Sequence, residues 1–367
     1  MNRVIKKYIA SILFLFPYVI VPAQQDQPIY VTGKIEEAQK LIALGQINDA
    51  QIILEDIYLQ EPENCKVLTL LAEINAGDED FKAAKKYLNQ CLNSHPDNTT
   101  ALFNLGKINF IEGNLIDAKK QFLVYSKLVP NDEDVYDYLG QIAIANKNLN
   151  EIKSYYRILL ELDTLNADAL NTLATIYLQE GKTDTAKILL QKLIDFHPTN
   201  EQGYLSLGIL YGMNDNLNEA VNHLNNAEKL NPEDARIFQS LGLFYLKYGY
   251  YDNAEKSLSR AIRLDSTNLD SRMGLILAYQ IQGKYDGALD EANKLINLNE
   301  LSPDAYLIVA EIYRLKNEID KSISIVFQAI KIDPSNVASY YMLGDLYQAK
   351  GMDKKAEEYY KKAKLLS

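Results

Sequence analysis

The chain has 367 residues, and 47% of them are apolar, which is enough to fold around a core. It contains 26 tyrosines but only 10 prolines and 17 glycines, and so few turn-forming residues favour helices joined by short loops over a β architecture. The net charge of −11 argues against nucleic acid as a partner, because a polyanion requires a basic surface.

Residues 1–23 have the pattern of an export signal. Lys6 and Lys7 precede an apolar run over residues 8–21, and small residues at Val21 and Ala23 suit a signal peptidase. The run is shorter than the ~20 residues that a membrane-spanning helix needs. We therefore expect cleavage after Ala23, a mature chain in the periplasm or outside the cell, and no stable membrane span. An uncleaved signal anchor is the alternative.

A period of 34 residues runs from residue 31 to the end of the chain. The prolines on one phase of this period are Pro62, Pro96, Pro130, Pro198, Pro232 and Pro334. With Val31 as position 1, ten repeats follow without insertion or deletion, and a short linker of residues 24–30 precedes them. The repeats begin at residues 31, 65, 99, 133, 167, 201, 235, 269, 303 and 337.

Within a repeat, the apolar positions predict two packed helices. Positions 4, 7, 8 and 11 follow one helical face, and positions 20, 24 and 27 follow another. Small residues recur at positions 8 and 20, where two helices would approach closely, although Ile276 and Ile152 depart from this pattern. Glycine is frequent at position 15, which suits the end of a helix and a tight turn. Each hairpin therefore has apolar faces that need a neighbour.

The repeated residues resemble a known family. The set in the third repeat is Leu105, Gly106, Gly113, Ala118, Phe122 and Pro130. This set resembles the tetratricopeptide repeat, and the resemblance covers residues 31–367. It implies an all-α, right-handed superhelical solenoid of ten tandem helix-turn-helix repeats, whose first helices line the concave side. It also implies that partners contact positions 2, 5, 9, 12 and 13. No lysine occupies position 5, so the carboxylate clamp of some members is not expected.

Groups that could catalyse a reaction do not converge in this pattern. The histidines His95, His197 and His223 lie on three different repeats, and no motif for a phosphate loop, an activated serine or a zinc protease occurs. We therefore expect no enzyme activity, no cofactor and no metal site.

The two cysteines lie in one repeat. Cys65 is at position 1 and Cys91 is at position 27. We expect these positions to lie far apart on two antiparallel helices, which predicts free buried thiols rather than a disulfide.

Apolar residues occupy the free face of the first helices in two groups. Contiguous exposed apolar surface marks interaction sites, so we predict that these residues bind a partner. The group in the third repeat is Phe103, Phe110 and Ile111. The group in repeats six to eight is Leu205, Ile209, Met213, Leu243, Leu246, Met273, Leu277 and Ile281. Asp137, at position 5 of the fourth repeat, is a candidate for a basic contact. The alternative is that positions 5 and 12 pack against adjacent repeats.

These features predict an exported adaptor or scaffold that holds a protein or peptide segment in the concave groove. Two alternatives remain open. One is a structural envelope protein that assembles into homo-oligomers, and the other is a carrier for an envelope polysaccharide that stacks on exposed tyrosines. The molecular size of the purified mature chain separates the first hypothesis from self-assembly.

Overall fold

The structure, a computed structural model, describes residues 29–298 and 302–367, and every regular element in these ranges is an α-helix. The predicted signal segment, residues 1–23, lies outside the described residues. Within the described ranges, no helix has the length and apolar character needed to cross a membrane. The chain divides into two compact units, one ending at Ala169 and the other beginning at Leu170. The predicted all-α repeat fold is confirmed.

Each repeat contributes two consecutive helices, and the boundary between the units falls within α9. The helices up to that boundary are α1 (Ile29–Ala43), α2 (Ile47–Gln60), α3 (Cys65–Gly77), α4 (Phe81–Ser94), α5 (Thr99–Ile111), α6 (Leu115–Leu128), α7 (Glu133–Ala145), α8 (Leu149–Leu162) and α9 (Ala167–Gln179). The helices beyond it are α10 (Thr183–Phe196), α11 (Glu201–Met213), α12 (Leu217–Leu230), α13 (Ala235–Lys247), α14 (Tyr251–Leu264), α15 (Leu269–Ile281), α16 (Tyr285–Leu298), α17 (Pro303–Leu315), α18 (Ile319–Ile332), α19 (Val337–Ala349) and α20 (Asp353–Leu366).

Position 15 forms the turn between the two helices of each repeat. Its backbone lies in the left-handed region in all ten described turns. Six of these residues are glycines, with φ between 70° at Gly283 and 81° at Gly113, as the sequence predicts. The other four are Glu79, Lys147, Asp215 and Asn317, with φ between 54° and 61°. The predicted turn is therefore confirmed, although it does not require glycine.

The two helices of a repeat approach closely where position 8 faces position 24. A methyl group added to Gly208 would lie 2.6 Å from Leu224 Cγ, and one added to Gly106 would lie 2.7 Å from the ring of Phe122. Both distances are shorter than carbon atoms tolerate without displacement. The close approach at position 8 agrees with the small-residue pattern. The structure adds that a small residue at position 8 makes room for a large one at position 24.

The eighth repeat reverses this size relationship. Ile276 stands at position 8, and Ala292 stands at position 24, where the other repeats have a larger side chain. Both residues are buried and belong to one core cluster. The large side chain has moved from the second helix to the first, which explains why Ile276 departs from the predicted pattern.

Neighbouring repeats pack through positions that the sequence pattern does not reveal. Second helices bury positions 20, 24 and 27, as predicted. First helices also bury positions 3 and 10, because these positions face the preceding repeat. Val67 and Ile74 of α3, for example, share a core cluster with Leu54 and Ile57 of α2. Each first helix is therefore covered on two sides, by its own second helix and by an adjacent repeat.

Cys65 and Cys91 form a disulfide bond, with their Cα atoms 4.9 Å apart. The prediction of free thiols is wrong, because the second helix of a hairpin runs back antiparallel and brings position 27 beside position 1 of the same repeat. His95 Nδ1 lies 3.3 Å from Cys65 Sγ. The bond links residues 26 apart in sequence, and a loop of that size contributes about 3 to 4 kcal/mol of stability in the chain-entropy account.

The reversed pair in the eighth repeat yields a prediction. Ile276→Ala opens a cavity and Ala292→Leu overpacks the contact, so each single change should destabilise the chain, by about 2–5 and about 1–3 kcal/mol respectively. The double variant recreates the alanine–leucine pair of Ala72 and Leu88, so it should lose less than the sum of the two single changes. A double-mutant cycle from denaturant unfolding measures this coupling. Simply additive losses would contradict the packing described here.

Candidate partner-binding site

The first helices α13, α15 and α17 line an open cavity of about 620 Å³ in the unit that begins at Leu170. We call it the apolar trough. It is lined by Leu243, Leu246, Asp270, Met273, Gly274, Ile276, Leu277, Gln280, Leu307, Ile308 and Glu311. Most of its lining residues occupy positions 2, 5, 9 and 12 of repeats seven to nine. Packing within and between these repeats does not cover those positions here.

Four of the predicted binding residues meet in the trough, namely Leu243, Leu246, Met273 and Leu277. Three of them remain substantially accessible, with Leu243 36%, Met273 49% and Leu277 46% exposed. Leu307 extends the trough into the ninth repeat. The prediction omitted it, although it occupies position 5, as Met273 does in the preceding repeat.

Met213 and Ile281 lie at the C-terminal ends of α11 and α15. Both side chains are exposed, as predicted. Neither belongs to the lining of the trough. Their exposure leaves them accessible, but they lie outside the cavity that the other apolar residues line.

The predicted exposure of Leu205 is wrong. Its side chain is 1% exposed and shares a core cluster with Phe238 and Leu241 of the next first helix. Ile209 is half-buried and packs against the same cluster. The small Gly212 allows this covering, because the ring of Phe244 occupies the place where a side chain at Gly212 would lie. In the sixth repeat, position 5 therefore packs against an adjacent repeat, which is the alternative that the sequence left open.

The predicted group in the third repeat is largely an aromatic core cluster. The ring of Phe103 lies 5.8 Å from Phe122 and 5.0 Å from Tyr125, and the ring of Phe110 lies 5.2 Å from Tyr138. Such edge-on and tilted contacts stabilise packed rings. Phe103, Phe110 and Ile111 are all half-buried rather than freely exposed.

Asp137 is half-buried beside other carboxylates. Burial raises the pKa of its carboxyl, and the charges of Asp168 and Asp134 add to this effect. The hydrogen bond from Gln141 Nε2 to Asp137 Oδ2, at 2.7 Å, favours the charged form and therefore acts against this rise in the pKa. Contact between Asp137 and a basic group of a partner stays a prediction.

The trough carries negative charge at its edges. Asp270 and Glu311 are the ionisable side chains in its lining, and no cationic side chain of the described residues lines it. Glu311 receives two hydrogen bonds from Arg314, from Nη2 at 2.5 Å and from Nε at 2.7 Å. Asp270 lies 3.5 Å from Gln239 Nε2. Of the two carboxylates, Glu311 is neutralised by its own helix and Asp270 is not.

The histidines remain separate in the structure. His95 lies beside the disulfide, and the ring of His223 stacks on Tyr211 at 5.2 Å, where burial lowers its pKa. Over the ranges that the structure describes, no group of three or more histidine, cysteine or acidic side chains could hold a metal ion.

A chain of helical hairpins that pack against their neighbours and expose apolar surface on the first helices is a protein-interaction scaffold. Four family models described as tetratricopeptide repeat match residues 66–98 and 235–268, 168–200, 273–337 and 328–358. The protein belongs to the tetratricopeptide repeat family, whose members bind protein or peptide partners. No curated protein matches its sequence significantly.

Several solved structures are similar to this chain. A tetratricopeptide repeat protein from Parabacteroides merdae is 20% identical, with a TM-score of 0.46, and the match covers 63% of this chain and 93% of that one. The pilF product of Pseudomonas aeruginosa is 21% identical, with a TM-score of 0.44 and coverages of 53% and 88%. YrrB, described as a TPR protein with an unusual peptide-binding site, is 19% identical, with a TM-score of 0.44 and coverages of 50% and 95%.

The environment of Asp137 yields a prediction. A folded-state pKa above the unfolded value means that ionisation of this carboxyl opposes folding. The stability that the protonated carboxyl contributes is therefore present below about pH 4 and is lost as pH rises through the folded pKa. Asp137→Asn removes the charge and keeps an acceptor for Gln141. It should raise the melting temperature at neutral pH and change it less near pH 4. Thermal unfolding at the two pH values measures this, and an equal or opposite shift would contradict it.

Proposed function

We propose that this protein is an exported scaffold that binds a segment of a partner protein, or a peptide, in the apolar trough. The observation that carries the proposal is the cavity of about 620 Å³ into which Leu243, Met273 and Leu277 present large exposed apolar side chains. Exposed apolar side chains gathered in a concavity gain about 25 cal/mol for each Å² that a partner covers.

The chemistry of the lining favours a chain segment as the occupant. Leucine and isoleucine side chains from three helices offer several contact points along the trough rather than one deep pocket. Met273 can adapt its shape to different apolar groups. A partner segment with apolar side chains at regular spacing would place them in succession along such a surface.

Two features support export. The N-terminal pattern predicts a cleaved signal, and the Cys65–Cys91 disulfide is a bond that persists in oxidising compartments and is rare in the cytosol. The bond joins the two helices of a single repeat, so it stabilises the array without involving the trough. We propose that the mature chain works in the periplasm or outside the cell.

The proposal is tested by placing charge in the trough. Leu243→Glu combined with Leu277→Glu puts two carboxylates among the apolar side chains, where a partner would have to bury them. Because both positions are more than a third exposed, melting should change little. Binding of a partner captured from the native host, identified and then purified, should weaken by at least tenfold, measured by titration calorimetry.

Two controls accompany this variant. Ile188→Glu makes the same chemical change at an exposed aliphatic residue of the second helix α10, where Ile188 is 69% exposed, and should leave binding intact. Leu241→Glu, at a 4% exposed position, should damage the fold itself. The proposal fails if the trough variant folds and binds the partner normally. If the mature chain forms a stable homo-oligomer that the trough variant dissociates, the function is self-assembly instead.

A further inference from the structure

The charges around the apolar trough point to a particular class of partner. Asp270, in the first turn of α15, is exposed, and it accepts a long hydrogen bond of 3.5 Å from the neutral amide of Gln239. An exposed carboxylate beside an apolar surface is available to a cation that a partner brings.

The cations on the same helices are already paired. Arg236 of α13 binds Asp234, with Nη2 2.6 Å from Oδ2, and Lys247 Nζ lies 2.5 Å from Asp215 Oδ1. Arg314 of α17 is paired with Glu311. Arg272 of α15 is paired with Glu291. The positive charges on these three helices are therefore paired within the chain, and Asp270 gives the trough a local negative potential.

We infer that the segment seated in the trough is amphipathic and cationic, with leucine-like side chains against Leu243, Met273 and Leu277 and a lysine or arginine that reaches Asp270. This inference rests on the proposed function and specifies its partner. An acidic segment, including one from a second copy of this acidic chain, would place like charges together at Asp270, which opposes binding.

The test uses two synthetic helical peptides of equal length that carry the same leucines, with lysines on the polar face of one and glutamates on that of the other. Fluorescence anisotropy with the mature protein should show that the lysine peptide binds and that the glutamate peptide binds at least about tenfold more weakly. Asp270→Asn should weaken binding of the lysine peptide about two- to fivefold, the range of a partly exposed ion pair, and reduce its dependence on salt.

A matched control separates a local contact from general attraction to an acidic protein. Asp184→Asn removes the same charge from the first turn of the second helix α10, also at an exposed position. It should leave the affinity for the lysine peptide unchanged. If Asp184→Asn lowers the affinity for the lysine peptide as much as Asp270→Asn does, the attraction comes from the net charge of the protein and the inference is wrong.

A neutral change in the trough distinguishes the two proposals. Leu277→Gln removes apolar surface without adding charge, so it should weaken binding of the lysine peptide only because less apolar surface is buried. If Leu277→Gln weakens binding and Asp270→Asn does not, the trough binds its partner but the cationic partner class is wrong. If neither change weakens binding, the trough is not the site and the proposed function fails with the inference.

Discussion

The close approach of two helices at positions 8 and 24 is the constraint on which the rest of each repeat depends. Gly208 admits Leu224 and Gly106 admits the ring of Phe122 because a side chain at either glycine would overlap its partner. This contact turns one face of the first helix against the second helix. Positions 3 and 10 then face the preceding repeat, as Val67 and Ile74 do. Only the remaining face of the first helix is available to a partner.

Whether that remaining face is a surface or part of the core depends on the neighbouring first helix. Leu205 and Met273 both occupy position 5, yet Leu205 is 1% exposed and Met273 is 49% exposed. Large residues of α13, including Phe238, pack over Leu205. Over Met273 the chain leaves an open cavity instead. The trough is therefore a local property of repeats seven to nine rather than of the family pattern.

Much of the fold can be predicted from the sequence because the period of 34 residues repeats the same packing positions in ten units. The helices, the turn at position 15 and the buried positions 20, 24 and 27 all follow from it. The binding site can be predicted only in part, because the periodicity of one helix does not show which of its residues the adjacent repeat covers. The disulfide was missed for a geometric reason: positions 1 and 27 are far apart in sequence but adjacent in an antiparallel hairpin. The sequence also marks where first helices begin, because an asparagine or aspartate precedes most of them. One example is Asn200, whose Oδ1 accepts a hydrogen bond from Gly203 N at 2.9 Å.

The central claim is that partners meet the first helices of repeats seven to nine and not the second helices. Site-specific photo-crosslinking in the native host tests it most directly, with a photoreactive residue in place of Leu277 in the trough or of Ile188 on the second helix α10. Both positions carry exposed aliphatic side chains, 46% and 69% accessible, so the fold should tolerate the probe at either one. The account predicts a discrete crosslinked partner from position 277 and none from position 188. Crosslinking from position 188 alone would place the partner on the second helices and contradict the account.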